Sequence, residues 1–214
     1  MGYKISVIGQ KGGPGKSTLA RAIATCYASS DWDVKIADLD INQSTSFNWL
    51  QRRLMNQIEP VVAVETFGTA ATALKQADNY DLFIFDGAPM ASRASKQISL
   101  VSDLVIIPTG LATDDLQPAV ALAHNLVAEG VKQDAICFVF NRATGSETEY
   151  QEAVAYLNKT PYFVIDGRIE EKPCYRRAMD AGYSVVETVY KQPREKADAV
   201  IQNIINRLET LIEE

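Results

Sequence analysis

Histidine is almost absent from this chain, which has only His124, and cysteine is scarce: Cys26, Cys137 and Cys174 lie far apart with no C-x-x-C pair. Three scattered thiols read as buried and reduced, and they supply no ligand set for zinc or an iron–sulfur cluster. His124 falls in a stretch that reads as helix, and it reads as structural. No apolar run approaches ~18 residues, so no helix is expected to span a membrane. The N-terminal MGYKISVIGQ lacks the apolar segment and small-residue cleavage site of a signal peptide, so the expected location is the cytoplasm. Positive charge is in deficit, with 21 Lys and Arg against 27 Asp and Glu, a net −6. That balance argues against indiscriminate nucleic-acid binding by the whole surface but leaves room for a local basic patch. Nothing precedes the first strand that could form a helix-turn-helix, so operator-specific binding is not expected.

The 214 residues are 47% hydrophobic and 22% charged, the mix of an ordinary soluble globular protein. Strands are expected near Lys4–Gly9, Asp33–Asp38, Pro60–Glu65, Asp81–Asp86, Leu104–Pro108 and Ala135–Asn141, with a short one near Tyr162–Ile165. Several of these runs are continuously apolar rather than alternating, which suits strands covered on both faces. Helical patterns fall between them at Ser17–Ser29, Ser46–Asn56, Thr69–Ala77, Asp115–Glu129 and Glu147–Leu157, and a last helix runs from about Arg194 to Glu214. Such alternation predicts an α/β fold, doubly wound, with a mainly parallel sheet and helices on both faces. With no internal repeat, low-complexity tract or linker, residues 1–214 read as one domain.

The stretch "GQKGGPGKST" joins the first strand to the first helix, the context a phosphate loop requires. Gly12, Gly13 and Gly15 let backbone N–H groups approach phosphate oxygens, and the helix adds its unpaired N–H groups and dipole. Lys16 can reach the β- and γ-phosphates, Ser17 can coordinate Mg²⁺, and Thr18 completes the nucleotide-binding run. Two carboxylates, Asp38 and Asp40, end the second strand in "VKIADLDINQ". In an open parallel sheet ligands bind beyond the carboxyl ends of the strands, where acids can orient water or hold Mg²⁺ through water. For Asp40 the other role that fits is helix capping. "YDLFIFDGAP" ends another apolar strand in Asp86, in the Walker B pattern.

Lys-Gly-Gly-x-Gly-Lys-Ser, with Gln10 where the usual loop has glycine, resembles the deviant Walker ATPases typified by ParA partition proteins and MinD. The resemblance is strongest at residues 9–18 and weakest around 45–80 and 142–170. In that family the extra lysine, matched by Lys11, reaches across a dimer interface to the partner's nucleotide. The resemblance therefore implies a homodimer when ATP-bound, with Lys16 serving its own ATP and Lys11 the neighbour's. It implies that Asp40 positions the attacking water and that Asp86 lies on the Mg²⁺ shell, usually through water. Relatives carry a pair like Asn141-Arg142 of "FVFNRA". Its asparagine can read the adenine edge, and a plain turn fits the pair equally well. "RRAMDAGYSVVE" resembles the family's Ala-x-x-x-Gly-x-Ser-Val-x-Glu ending, at Ala178, Gly182, Ser184, Val185 and Glu187.

Several functions share this loop. A ParA-type protein would use ATP and Mg²⁺ to dimerise, bind DNA nonspecifically in the nucleoid, and respond to a ParB-type centromere-binding protein. Residues 159–196 hold eight basic and six acidic groups, so only this segment could offer phosphates a positive face. The candidate contacts are Arg176, Arg177, Arg194 and Lys196. A MinD-like membrane-associated ATPase would need a basic terminal amphipathic helix. Here the terminal helix ends in glutamates, and no membrane partner is expected. Nucleoid-based positioning of a protein cargo shares the first mechanism. An iron–sulfur reductase component or a carboxylate-activating ligase would need cysteines or substrate-reading residues that the sequence does not display.

Overall fold

The computed structural model describes residues 2–10, 13, 15–87 and 93–213. The expected site residues Lys11 and Gly12 lie outside the described residues. Strands β1 (Tyr3–Val7), β2 (Val34–Asp38), β3 (Ala63–Thr66), β4 (Leu82–Asp86), β5 (Leu104–Thr109), β6 (Ile136–Ala143) and β7 (Phe163–Glu170) form one sheet in the order β3-β2-β4-β1-β5-β6-β7. Every neighbouring pair is parallel. The connecting helices are α1 (Lys16–Ala28), α2 (Thr45–Met55), α3 (Ala70–Leu74), α4 (Arg93–Ser99), α5 (Thr113–Ala128), α6 (Glu147–Leu157), α7 (Pro173–Asp180) and α8 (Lys191–Glu213). This is the expected doubly wound arrangement, and among the described residues the sheet is parallel throughout.

Alternation of side chains across the pleat feeds two apolar layers. Ile5, Val7, Leu82 and Ile84 pack with Leu19 and Ile23 of α1, Trp49 of α2 and Val200, Ile204 and Leu208 of α8. Phe83, Phe85, Ile107 and Phe138 face the other way, against Ile98, Leu116, Leu122 and Leu157 of α4, α5 and α6. Both faces of the central strands are therefore dry, which is why their sequences are continuously apolar. β1 sits between β4 and β5, and β2 continues the sheet on the far side of β4. The carboxyl ends of β1, β2 and β4 thus open side by side, in register from Val7 to Asp86 and from Asp38 to Asp86.

Several boundaries differ from expectation. Pro60 has no N–H to give a ladder, and β3 starts at Ala63. The helix expected over Thr69–Ala77 shortens to α3, followed by a 3₁₀ turn at Ala77–Asn79. β7 runs on to Glu170, and α8 begins at Lys191, three residues before the expected Arg194. Two helices carried no readable period. α4 is rich in serine, and Ser99 Oγ donates back to the Ser95 carbonyl at 2.8 Å. α7 buries only Tyr175 and Ala178.

The "RRAMDAGYSVVE" segment forms a clasp between α2 and α7. Gly182 has φ 91°, and a Cβ there would lie 2.5 Å from the Arg53 backbone nitrogen. Arg53, fully buried, donates through Nη1 and Nη2 to the two Glu187 carboxylate oxygens at 2.8 Å each, and to the carbonyls of Gly182 and Pro60 at 3.2 and 2.9 Å. Trp49 Nε1 donates to the Tyr183 carbonyl at 2.9 Å. Removing one partner of a buried pair strands the other charge, at a cost of about 3–5 kcal/mol. Glu187→Ala is expected to lower stability by roughly that amount, and Arg53→Lys to be nearly as harmful, because a lysine cannot reproduce the fork. Urea unfolding measures both, and an unchanged midpoint for Glu187→Ala would contradict the clasp.

Candidate active site

The loop after β1 is positioned from the far side by β6. Gly15 has φ 88°, and an added Cβ would meet Asn141 Nδ2 at 1.9 Å. Asn141, 1% exposed, donates from that nitrogen to the Gly15 carbonyl at 3.3 Å. Arg142 sits in the left-handed region at φ 54°, and its Nη1 donates to the Gly13 carbonyl at 2.6 Å. Strain of this kind persists where surroundings over-determine it. With two carbonyls drawn toward Asn141 and Arg142, the loop is braced from the β6 side. In this arrangement Asn141 is a brace of the phosphate loop.

α1 then starts at Lys16, whose side chain is buried. Burial pulls the ammonium's pKa down, while Asp86 and Asp40 pull it back up. Lys16, Ser17, Thr18 and Asp40 line a cleft of about 380 Å³, with Gln43, Thr45 and Gly87 beside them. That volume suits a small-molecule ligand. The same cleft is lined by Arg21, Arg52, Arg142 and Arg176 against Asp40 and Asp180, so cations outnumber acids around it.

The two strand-end acids of β2 divide their work. Asp38 is fully buried and accepts N–H bonds from Asp40 at 3.1 Å, Ser46 at 2.9 Å and Phe47 at 3.3 Å. It caps α2. Asp40 accepts the Gln43 N–H at 3.2 Å within the following turn and faces the cleft. Helix capping, the other role open to Asp40, thus falls to Asp38.

Asp86, 2% exposed, immediately precedes Gly87 of the cleft lining. Burial raises its carboxyl to about 6 with help from Asp38, against the opposing pull of Ser46, Arg21 and Ser17. Ser46 Oγ donates to Asp86 at 2.6 Å and accepts from Arg21 Nε at 3.2 Å. Ser17 Oγ and Thr45 Oγ1 are 2.9 Å apart. Among the described residues no cluster of three or more His, Cys, Asp or Glu side chains could hold a metal ion. The donors here are hydroxyls and carboxylates, a hard oxygen set that suits Mg²⁺ completed by phosphate and water. Ser17, Asp86 and Asp40 are the residues that would hold it, directly or through water.

Arg21, Thr45 and Ser46 carry this site but no motif announced them. The available signals were the hydroxyl run Ser44-Thr45-Ser46 and an arginine one helical turn after Ser17, on the buried face of α1. The proposed DNA contacts Arg176, Arg177, Arg194 and Lys196 are all exposed. Arg176 also lines the cleft and pairs with Glu171 at 3.0 Å, and Lys196 approaches Glu170 at 3.8 Å.

Lys16, Asp40 and Asp86 thus lie near one another where β1 passes into α1. The model for the CobQ/CobB/MinD/ParA nucleotide-binding domain matches residues 5–185. The chain belongs to that family. No curated protein matches it in sequence. Solved structures of similar fold include the cell division ATPase MinD of Pyrococcus furiosus, with TM-score 0.75 and 17% identity over 96% of this chain and 99% of that one. The septum site-determining protein MinD of Pyrococcus horikoshii, complexed with Mg-ADP, gives 0.73 and 16% over 95% and 96%. A Borrelia burgdorferi protein assigned to plasmid partition, bound to AMPPNP, gives 0.73 and 16% over 97% and 100%. At such identities these likenesses establish the fold, and the family model is that of a nucleotide-binding domain.

Gly15→Ala should abolish nucleotide binding in this family member, because the new Cβ collides with Asn141 and disfavours the left-handed backbone. Isothermal titration with ADP and circular dichroism together check this. Retained affinity with a native spectrum would show that the loop geometry is not required.

Proposed function

We propose that the chain is a ParA-type, Mg²⁺-dependent ATPase. ATP closes a homodimer, the dimer binds DNA without sequence preference in the nucleoid, and a ParB-type centromere-binding protein stimulates hydrolysis and release. One observation carries the catalytic half: Lys16 from α1 and Asp40, just beyond β2, line one cleft, and Asp86 and Asp40 both lie near enough to act on the Lys16 charge. Lys16 places a cation where charge gathers on the transferred phosphoryl group. Asp40, on the open side, is placed to accept a hydrogen bond from a water and orient it for in-line attack. Mg²⁺, which Ser17, Asp40 and Asp86 would hold directly or through water, would supply positive charge to offset that of the phosphates. In the dimer Lys11 serves the neighbouring nucleotide, and Asn141 holds Gly15 of the same loop.

Support for DNA over membrane comes from α8. Its apolar stripe is already used: Ala197, Val200, Ile201, Ile204 and Leu208 are buried in the layer against the sheet. What lies beyond them carries Glu209 and Glu213, which anionic lipid would repel. No helix among the described residues is long and apolar enough to cross a membrane. The basic residues of α7 and the start of α8 lie in a segment, residues 159–196, with eight basic and six acidic groups, and pairing to Glu170 and Glu171 leaves that excess weak in a monomer. A symmetric dimer presents it twice, so ATP raises DNA affinity with no new charge.

Basal ATP hydrolysis is expected to be slow, absent in Lys16→Ala and at least about tenfold lower in Asp40→Ala, where the water loses its orienting carboxylate. Random-sequence duplex should bind with ATP but not with ADP, with affinity falling steeply as salt rises. Neutralising Arg177, Arg194 and Lys196 together should weaken that binding while sparing ATP; Arg176 is left in place because it also lines the cleft. Interferometry on duplex and on anionic liposomes separates the outcomes. Equal DNA binding in every nucleotide state, or binding to liposomes alone, counts against the partition reading.

A further inference from the structure

We propose that Thr45 is a direct oxygen ligand of the divalent cation, beside Ser17, so that the first turn of α2 closes the metal end of the cleft. This inference rests on the nucleotide reading above. Thr45 Oγ1 and Ser17 Oγ stand 2.9 Å apart, one from α2 and one from α1. In an octahedral shell with oxygens at about 2.1 Å from Mg²⁺, adjacent ligands are separated by about 3.0 Å. Two hydroxyls at this spacing can occupy neighbouring vertices with no movement of either backbone.

The position of Thr45 is built rather than incidental. Ser44, just before it, sits at φ 44°, a conformation few residues other than glycine adopt. Its N–H donates to the Asp40 carbonyl at 2.7 Å and its hydroxyl to the Ile41 carbonyl at 3.0 Å. After Thr45, the Ser46 N–H is held by Asp38 and the Ser46 hydroxyl is engaged by both Asp86 and Arg21. Arg21 is itself only 6% exposed and lies over the Trp49 ring at 5.7 Å. Both neighbours of Thr45 are thus fixed, and its side chain is left facing Ser17 in the cleft lining. Ser46 is the nearer hydroxyl to Asp86, but its oxygen already serves two partners, which leaves Thr45 as the donor free to turn to a cation.

Mn²⁺ titration followed by electron paramagnetic resonance, in the presence of saturating ADP, tests this. Thr45→Val should weaken Mn²⁺ binding to the ADP complex about tenfold, whereas Thr45→Ser stays within about twofold of wild type because its hydroxyl remains. ADP affinity in EDTA should be unchanged in both. Line broadening in ¹⁷O-enriched water should count one more coordinated water in Thr45→Val than in wild type. Thr45→Ala is the second variant where valine crowds the site, with the same expectation. Undiminished Mn²⁺ affinity, or an unchanged water count, in a variant that still binds ADP overturns the assignment of Thr45 and leaves the nucleotide reading standing. A wild-type protein that binds no ADP even in EDTA overturns both.

Discussion

A carboxylate buried at the end of an apolar strand is the constraint around which this molecule is arranged. Asp86 closes β4, whose other residues feed the two apolar layers, and it is 2% exposed. An ionised carboxylate in such a place needs hydrogen bonds and a nearby cation, or it protonates. Ser46 supplies the bond at 2.6 Å, and Arg21 and Lys16 supply the charge. These requirements fix where α2 must begin and which residue of α1 must be an arginine. The cleft is what remains between the pieces so fixed.

From that anchor α2 reaches across about 16 Å, at 1.5 Å per residue, to a second buried pair. Its first turn touches Asp38, Ser17 and Asp86, and its last turn holds Glu187 and the carbonyls of Met179, Ala181 and Gly182. α7, which carries Arg176 and Arg177, is therefore tied through one helix to the Ser17 end of the cleft. Loosening either end of α2 would shift the other, because Trp49 between them is fully buried and packed against Arg21 and Arg53. Cleft and basic segment are in this way parts of one polar and apolar framework.

The sheet was legible because its central strands are dry on both faces, so LeuPheIlePhe and LeuValIleIle stand out without any periodic test. The junction of β1 and α1 was legible because glycine, lysine and serine stand there at the spacing a phosphate loop requires, and α1 begins at Lys16. α4 and α7 were not, since serines bonding to their own helix and a face of two buried residues leave little pattern. At the site, Asp38 and Asp40 look alike in sequence. Only the path of the chain into α2 shows that one caps a helix and the other faces the cleft. Arg21 and Ser46 were hidden for a similar reason. Their roles depend on a contact between α1 and α2 that no local spacing encodes. The A-x-x-x-G-x-S-V-x-E resemblance was visible, but its cause, a glycine pressed against Arg53 and a glutamate that binds it, lies in a different helix.

The central claim is that two lysines in one loop serve two nucleotides, which requires the chain to pair when ATP is bound. Sedimentation velocity on Asp40→Ala, chosen to slow hydrolysis, measures this with Mg²⁺-ATP, with Mg²⁺-ADP and with no nucleotide, and again after adding Lys11→Ala. The account predicts a monomer without nucleotide and with ADP, a dimer with ATP, and loss of that dimer in the Lys11→Ala protein while ATP still binds. The same mass in all three states, or an ATP-dependent dimer indifferent to Lys11, would contradict it.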